Sequence, residues 1–112
     1  MARLTIANRS AEKAETLARQ LKAVFPGTDL GAGPDDPAGY DLVINGTSLG
    51  MHAGDALPVD PDRLGPGTLV AEVVMQPDVT PLLAAAEARG CRIHKGINMI
   101  EQQVRLLVDF LI

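Results

Sequence analysis

The segment Y-D-L-V-I-N-G-T-S-L-G-M, residues 40–51, joins two kinds of sequence. Leu42, Val43 and Ile44 form a short, largely β-branched apolar run, which is typical of a strand buried on both faces in a parallel sheet. From Asn45 onward the residues are small and mostly polar, as in a loop. Because ligands of open α/β sheets bind beyond the carboxyl ends of the strands, the segment predicts a strand that ends at the floor of a binding site. A plain strand-to-loop turn would have the same sequence.

The rest of the chain alternates strand and helix patterns. We predict strands over residues 3–7, 28–30, 41–45, 68–74 and 91–94, helices over 11–24 and from Thr80 to Gly90, a single turn at 61–64, and a last helix from Gly96. Each long helix has apolar residues at helical spacing, namely Ala14, Leu17, Leu21 and Val24 in the first, and Ile97, Ile100, Val104, Leu107 and Leu111 in the last. Strands alternating with helices predict an α/β fold with a parallel sheet.

Composition restricts the class of protein. The chain has 112 residues, enough for one small domain, and its net charge of −4 argues against a nucleic-acid or anionic membrane surface as partner. No apolar run is long enough to span a bilayer, and the first ten residues do not resemble a signal peptide. Cys91 is the only cysteine, which excludes a disulfide framework within the chain and is consistent with the cytoplasm. His52 and His94 lack ligand spacing, so no metal site is predicted.

Asn8, Arg9 and Ser10 follow the first predicted strand, and Lys13 lies one turn into the helix. In a dinucleotide-binding fold, an arginine at the tip of the second strand pairs with the 2′-phosphate of NADP, whereas an acidic residue there selects NAD. The tip carries Arg9 and no acid, which favours NADP. A helix cap followed by two solvated basic side chains is the alternative interpretation.

The remaining candidates for chemistry are weak when taken alone. Gly31 and Gly33 form a Gly-x-Gly, but no helix follows it, so it does not match a phosphate loop. Gln103 is a polar residue on the last helix, where glutamine is usually solvated. The sequence contains no evident Ser/His/Asp or Cys/His constellation and no carboxylate pair placed for acid–base catalysis.

Taken together, these motifs resemble the C-terminal part of the shikimate dehydrogenase family. The resemblance depends on Asn8-Arg9-Ser10 with Lys13, D-L-V-I-N-G-T-S-L-G-M at 41–51, T-P-L-L at 80–83, and G-x-x-M-I-x-x-Q at 96–103, in that order. It implies an NADP-dependent reduction of 3-dehydroshikimate to shikimate in aromatic amino-acid biosynthesis. Another NADP dehydrogenase with a related domain is disfavoured by the last two motifs.

The family assigns roles to residues by position. It implies that Asn8, Arg9, Ser10 and Lys13 hold the adenosine 2′-phosphate and that Asn45 and Thr47 line the floor near the cofactor. It further implies that Val73 and Gly96 lie against the nicotinamide and that Gln103 hydrogen-bonds a substrate hydroxyl. Met75 occupies a position where the family usually has a substrate-contacting tyrosine. Since a thioether cannot donate a hydrogen bond, a quinate-type or related substrate is an alternative to shikimate.

The resemblance also indicates what these 112 residues do not contain. The family's substrate domain, with its catalytic lysine and aspartate, and the first Rossmann strand with its glycine-rich loop precede the matching region. We therefore expect residues 1–112 to be a partial NAD(P)-binding Rossmann domain, either a truncated gene product or a fragment of a longer enzyme. We expect this partial domain alone not to turn over substrate, because hydride transfer needs an oriented cofactor and a proton donor. A non-catalytic module that binds nucleotide weakly, or a partner protein, is the alternative.

A missing first strand has a structural consequence. In the order 3-2-1-4-5-6, strand 1 separates the strand at 3–7 from that at 41–45, so its loss leaves a gap of roughly 10 Å. Either these two strands pair directly, or a second copy supplies a strand and the chain is a homodimer. We favour the homodimer, because direct pairing would leave too little room for the helix at 11–24.

Overall fold

The structure is a computed structural model that describes residues 3–52 and 54–111. The chain divides into two compact units, of which the first ends at Asp35 and the second begins at Asp36. The first contains β1 (Arg3–Ile6), α1 (Ala11–Val24) and β2 (Asp29–Ala32). The second contains β3 (Leu42–Asn45), a 3-10 helix (Pro61–Arg63), β4 (Leu69–Glu72), α2 (Pro81–Ala88), β5 (Arg92–His94) and α3 (Gly96–Leu111). The predicted order of strands and helices is confirmed, including the single turn near residue 61.

In the first unit, β1 pairs with β2 in parallel, and α1 connects them. Ser10 caps α1 as predicted, with its side chain accepting a hydrogen bond from the Lys13 amide at 3.4 Å. The buried residues of α1 are Ala14 and Ala18. Leu17 and Val24, which belong to the predicted apolar face, are exposed. A two-stranded sheet is narrow and covers only a thin stripe of the helix.

The second unit has a parallel sheet in the order β3-β4-β5. Its core is a buried apolar cluster to which α2 contributes three of six residues: Leu64, Val70, Leu82, Leu83, Ala86 and Cys91. Thr80 caps α2, its hydroxyl accepting from the Leu83 amide at 3.2 Å, and Pro81 occupies the first turn. The helix ends at Ala88, just before Gly90, whose φ of +83° suits glycine.

The burial predicted for β3 is wrong. Leu42 is 46% exposed and Ile44 is 55% exposed, although their strand has the sequence of a central strand. The reason is that β3 lies at the edge of its sheet, where its hydrogen-bonded strand neighbour is β4. By contrast, Val70, Ala71 and Glu72 of the central strand β4 are all buried, as expected of a strand with a neighbour on each side.

Each sheet, taken by itself, has a strand order found in a doubly wound α/β fold. In the order 3-2-1-4-5-6, β1 and β2 take the places of strands 2 and 3, and β3, β4 and β5 those of strands 4, 5 and 6. The predicted fold class, a parallel α/β fold without the first strand, is therefore confirmed.

Candidate cofactor site at the strand ends

The parallel register of the second unit brings three strand ends to one edge. Asn45 of β3 is paired with Glu72 of β4, and His94 of β5 is paired with Ala71. The Val73 amide, just beyond β4, donates a hydrogen bond to the Asn45 carbonyl at 3.2 Å. The carboxyl ends of β3, β4 and β5 therefore lie side by side. This edge is where open α/β sheets bind ligands.

Asn45 is buried at this edge, and its side chain is fully engaged with the protein. Its Nδ2 donates to the Leu49 carbonyl at 3.0 Å and to Glu72 Oε1 at 2.8 Å. Its Oδ1 accepts from the Thr47 amide at 3.0 Å and from the Thr47 hydroxyl at 2.6 Å. An amide side chain has two donor hydrogens and two acceptor lone pairs, so none remains for a ligand. Asn45 can shape the floor of a site, but it has no hydrogen bond left for the cofactor.

Glu72 connects this loop to the start of α2. Its side chain is completely buried. Oε1 accepts from Asn45, while Oε2 accepts from the Thr80 hydroxyl at 2.9 Å. Thr80 in turn caps α2, so a single carboxylate joins β3, β4 and α2. Glu72 was not among the residues predicted for the site, although an acidic residue within the apolar run T-L-V-A-E-V-V is a pattern that could have indicated it.

The loop after β3 has a second carboxylate. Asp55 Oδ2 accepts hydrogen bonds from the backbone amides of Gly50 at 3.0 Å and His52 at 3.1 Å. These two bonds hold the pKa of the Asp55 carboxyl below its ordinary value of 3.8, because they favour the charged form, and the bond from Gly50 has the larger effect.

The Thr47 hydroxyl accepts from the Leu49 amide at 3.1 Å and stabilises the preceding turn.

A pH dependence follows from the Asp55 contacts. The pKa of Asp55 is lower in the folded chain than in the unfolded one. The contribution of Asp55 to the stability of the fold is therefore fully present above about pH 4 and is lost as the pH falls through the pKa of the folded chain. We expect the amide resonances of Gly50 and His52 to shift together in this acidic range in an NMR titration. The control is Asp55→Asn, which should abolish the shared transition. Transitions that persist in this variant would contradict the assignment.

Gly96 opens α3 directly against the end of β4. A Cβ atom at this position would lie 2.4 Å from the Val74 carbonyl oxygen and 2.9 Å from the Val73 carbonyl carbon. Only glycine permits this approach, so the start of α3 is fixed beside Val73. Val73 itself is partly exposed at this edge, as is Met75 two residues further on. Asn45, Thr47, Val73 and Gly96 are thus brought to the strand ends of one unit.

Gln103 lies elsewhere on the same unit. It is exposed on α3, seven residues and so roughly 10 Å along the helix from Gly96. Nothing in its surroundings differs from those of an ordinary surface glutamine, so its role as a substrate ligand stays a prediction.

In the first unit, the predicted phosphate-binding residues cluster at the start of α1. The Asn8 side-chain oxygen accepts from the Ser10 amide at 3.2 Å, and the Ser10 hydroxyl caps the helix. Arg9 and Lys13 are both exposed. Two cations beside a helix N-terminus form a favourable environment for an anion. The role of these four residues in binding a cofactor stays a prediction.

Three further features concern metal sites, membrane helices and the cysteine. Residues 3–52 and 54–111 contain no cluster of three His, Cys, Asp or Glu side chains that could hold a metal ion. Within the same residues, no helix combines the length and apolar character that crossing a membrane requires. The buried thiol of Cys91 donates to the Gly65 carbonyl at 3.1 Å and belongs to the core.

Comparison with known proteins reveals relatives along most of the chain, although no family model matches it. The shikimate dehydrogenase (NADP(+)) of Geobacillus kaustophilus is 38% identical over 112 residues, covering 96% of this chain and 40% of the relative. That of Geobacter sulfurreducens is 41% identical over 110 residues, covering 91% of this chain and 38% of the relative. The chain therefore spans less than half the length of these relatives.

Solved structures give the same result. A shikimate dehydrogenase in complex with NADP+ superposes with a TM-score of 0.80 and 28% identity, covering 88% of this chain and 37% of that one. The quinate dehydrogenase of Corynebacterium glutamicum, in complex with NAD, gives a TM-score of 0.75 and 30% identity, with 88% and 36% covered. By sequence and by fold, the chain is thus a homologue of the C-terminal portion of the shikimate dehydrogenases.

Proposed function

We propose that this chain is the cofactor-binding portion of an NADP-dependent oxidoreductase of the shikimate dehydrogenase type. Its part in the reaction is to bind the cofactor and orient the nicotinamide, and NADP would supply the hydride chemistry. The observation that carries the proposal is the shared edge of β3, β4 and β5, where Asn45, Val73 and Gly96 meet. The resemblance to the family implies that these residues lie at or near the cofactor.

The chain's own residues would act on the cofactor in two ways. The Asn45 side chain accepts from the Thr47 amide and donates to the buried Glu72 carboxylate. These bonds hold the backbone from Asn45 to Thr47 in place, which gives a fixed floor. Gly96 keeps the start of α3 against Val73 and Val74 and so fixes one wall. Preorganised surfaces of this kind orient a bound group without further loss of conformational entropy. Proton transfer needs a donor that we do not assign within these residues.

The preference for NADP over NAD is assigned to the start of α1. Arg9 and Lys13 provide two positive charges, and Asn8 and Ser10 shape the turn between them. A 2′-phosphate would gain charge-assisted hydrogen bonds that the free 2′-hydroxyl of NAD does not make. The segment contains no acidic residue until Glu12, which lies within the first turn of α1.

The experiment that tests this assignment is a pair of arginine substitutions. Arg9→Ala should weaken NADP binding by about 1–3 kcal/mol and leave NAD binding nearly unchanged, because only NADP loses a charge-assisted contact. Arg19→Ala is the matched control, since Arg19 is exposed on the same helix but lies two turns away. Calorimetric titration with both cofactors gives the two affinities. Equal losses for NADP and NAD in Arg9→Ala would refute the assignment.

The substrate we propose is a small hydroxylated ring acid of the shikimate or quinate type, in aromatic amino-acid biosynthesis. Gln103 would donate to a substrate hydroxyl, and Met75 would contact the ring. Since Met75 lacks the hydroxyl of the tyrosine usual at this position, the site would make one hydrogen bond fewer to the substrate. A quinate-type or related substrate is thus an alternative to shikimate.

A non-catalytic module is the second candidate function. The 112 residues themselves contain no G-x-G-G-x-G loop and no assigned acid–base pair. Such a module would bind nucleotide weakly or bind a protein. For these 112 residues alone we expect negligible reduction of NADP with shikimate or quinate.

We also propose a cytoplasmic location and a second copy of the chain as protein partner.

A further inference from the structure

Glu72 is a completely buried acid to which the proposed function assigns no direct role. Within residues 3–52 and 54–111 it forms no ion pair, so no cation there offsets its burial. A buried carboxylate without a cation is costly, whereas apolar groups of matching shape can replace a buried hydrogen-bonded pair at little cost. Stability alone therefore does not explain an acid at this position. What the acid supplies is the placement of the two groups that donate to it.

The first of these groups is the Asn45 side chain. A carboxylate accepts hydrogen bonds but cannot donate one, so Glu72 Oε1 admits Asn45 Nδ2, at 2.8 Å, and excludes Oδ1. Oδ1 is thereby turned toward Thr47, whose amide donates to it at 3.0 Å. The other partners of the Asn45 side chain, Thr47 and Leu49, belong to the same loop and would move with it. Glu72 thus ties this side chain to the rest of the unit.

The far end of the loop rests on the same acid. We call residues 45–50 the floor loop. A Cβ atom on Gly50 would lie 3.6 Å from Thr80 Cγ2 and 4.0 Å from Glu72 Oε2, so Gly50 packs over both side chains. The Thr80 hydroxyl donates to that carboxylate oxygen at 2.9 Å. One side chain therefore supports the floor loop at both ends, directly at Asn45 and through Thr80 at Gly50.

We propose that Glu72 is a positioning residue for the cofactor, which fixes the floor loop against β4 and α2 by holding Asn45 in one orientation. The inference rests on the proposed function, because the floor loop is the surface to which the cofactor is assigned. Glu72 is completely buried, so its effect on a ligand passes through Asn45 to the Thr47 amide. A loop that is loose before binding has to be ordered by the cofactor, and the affinity falls accordingly.

Three variants separate this role from a general loss of stability. Glu72→Met keeps the length of the side chain but removes the carboxylate that accepts from Asn45, so it should free the floor loop. Glu72→Gln keeps an oxygen for Asn45 Nδ2 and should hold the loop. Thr80→Val is the matched control for destabilisation. It removes the cap of α2 and the bond to Glu72 Oε2, but it leaves the Asn45–Glu72 bond and the methyl group that lies against Gly50.

Two measurements are made at a temperature where circular dichroism shows every variant to be folded. Hydrogen exchange of the Thr47 amide, without cofactor, reports on the floor loop, since this amide donates to Asn45 Oδ1. Calorimetric titration with NADP and with NAD reports on binding.

We expect the Thr47 amide of Glu72→Met to exchange about tenfold faster or more, because its acceptor is no longer held in place. This variant should bind both cofactors about tenfold to a hundredfold more weakly, with the ratio of the two affinities unchanged. Glu72→Gln and Thr80→Val should match the wild type in both measurements, although Thr80→Val should unfold at a lower temperature.

Wild-type exchange and affinity in Glu72→Met would overturn the proposal. An equal loss in Thr80→Val would overturn it as well, since that result indicates general destabilisation. If Glu72→Met does not fold, Glu72→Asp takes its place with the same expectation, because its shorter side chain withdraws the carboxylate from Asn45. A wild-type chain that binds neither cofactor would refute the proposed function, and the exchange of the Thr47 amide would still decide whether Glu72 holds the floor loop.

Discussion

Glu72→Ala is expected to lower the free energy of unfolding by about 2–5 kcal/mol. The substitution leaves two buried donors, Asn45 Nδ2 and the Thr80 hydroxyl, without the carboxylate that accepts from both. Each buried donor left unpaired costs about 1–3 kcal/mol. Thr80 also caps α2, so its displacement should loosen the first turn of that helix. Chemical denaturation followed by circular dichroism measures the change.

Two further variants define what Glu72 contributes. Glu87→Ala is the control for the loss of a glutamate, since Glu87 is exposed on α2, and it should change stability by less than about 0.5 kcal/mol. Glu72→Gln keeps the shape and the acceptor for Asn45 but leaves the Thr80 hydroxyl proton unpaired. It should therefore fall between the wild type and Glu72→Ala. Equal stability of Glu72→Ala and Glu87→Ala would show that the buried network contributes nothing.

Gly96→Ala should destabilise the chain by about 1–3 kcal/mol or more, which is the usual cost of overpacking. The added Cβ would lie 2.4 Å and 2.7 Å from the carbonyl oxygen and carbon of Val74. These are backbone atoms, which cannot rotate away as a side chain can. A loss of stability would be informative, because alanine is normally favoured over glycine within a helix by about 1 kcal/mol.

A matched glycine substitution separates close packing from the general effect of adding a methyl group. Gly67→Ala adds the same Cβ where no other atom lies within 4 Å. It should be neutral or slightly stabilising, since it reduces the entropy of the unfolded chain. If Gly96→Ala were as stable as Gly67→Ala, the start of α3 would not be fixed against β4, and the wall proposed for the cofactor site would be lost.

The sequence was sufficient to predict the elements because local chemistry determines them. Ser10 and Thr80 are strong helix caps, Pro81 suits a first turn, and the alternation of strands with helices restricts the sheet to parallel pairing. The residues at the carboxyl ends of β3 and β4 could likewise be placed at one edge in advance. Parallel connections leave few other arrangements.

Other features depend on tertiary context that local patterns do not contain. The apolar run of β3 has the composition of a central strand, yet Leu42 and Ile44 are exposed because β3 is at the edge of its sheet. It could not be predicted that every hydrogen-bonding group of the Asn45 side chain is used within the protein, since its partner Glu72 is 27 residues away in the sequence. The apolar pattern of α3 predicted the helix correctly but did not reveal that its face is uncovered.

The proposed cofactor role is tested most directly by an NMR titration of the ¹⁵N-labelled chain with NADP and, separately, with NAD. If the start of α1 holds the 2′-phosphate, the amides of Arg9, Ser10 and Lys13 shift with NADP and shift much less with NAD. The amides of Gly46 and Thr47 should respond to both cofactors, because the floor of the site does not contact the 2′ position. Identical shifts with the two cofactors, or no shifts at residues 8–13, would contradict the proposal.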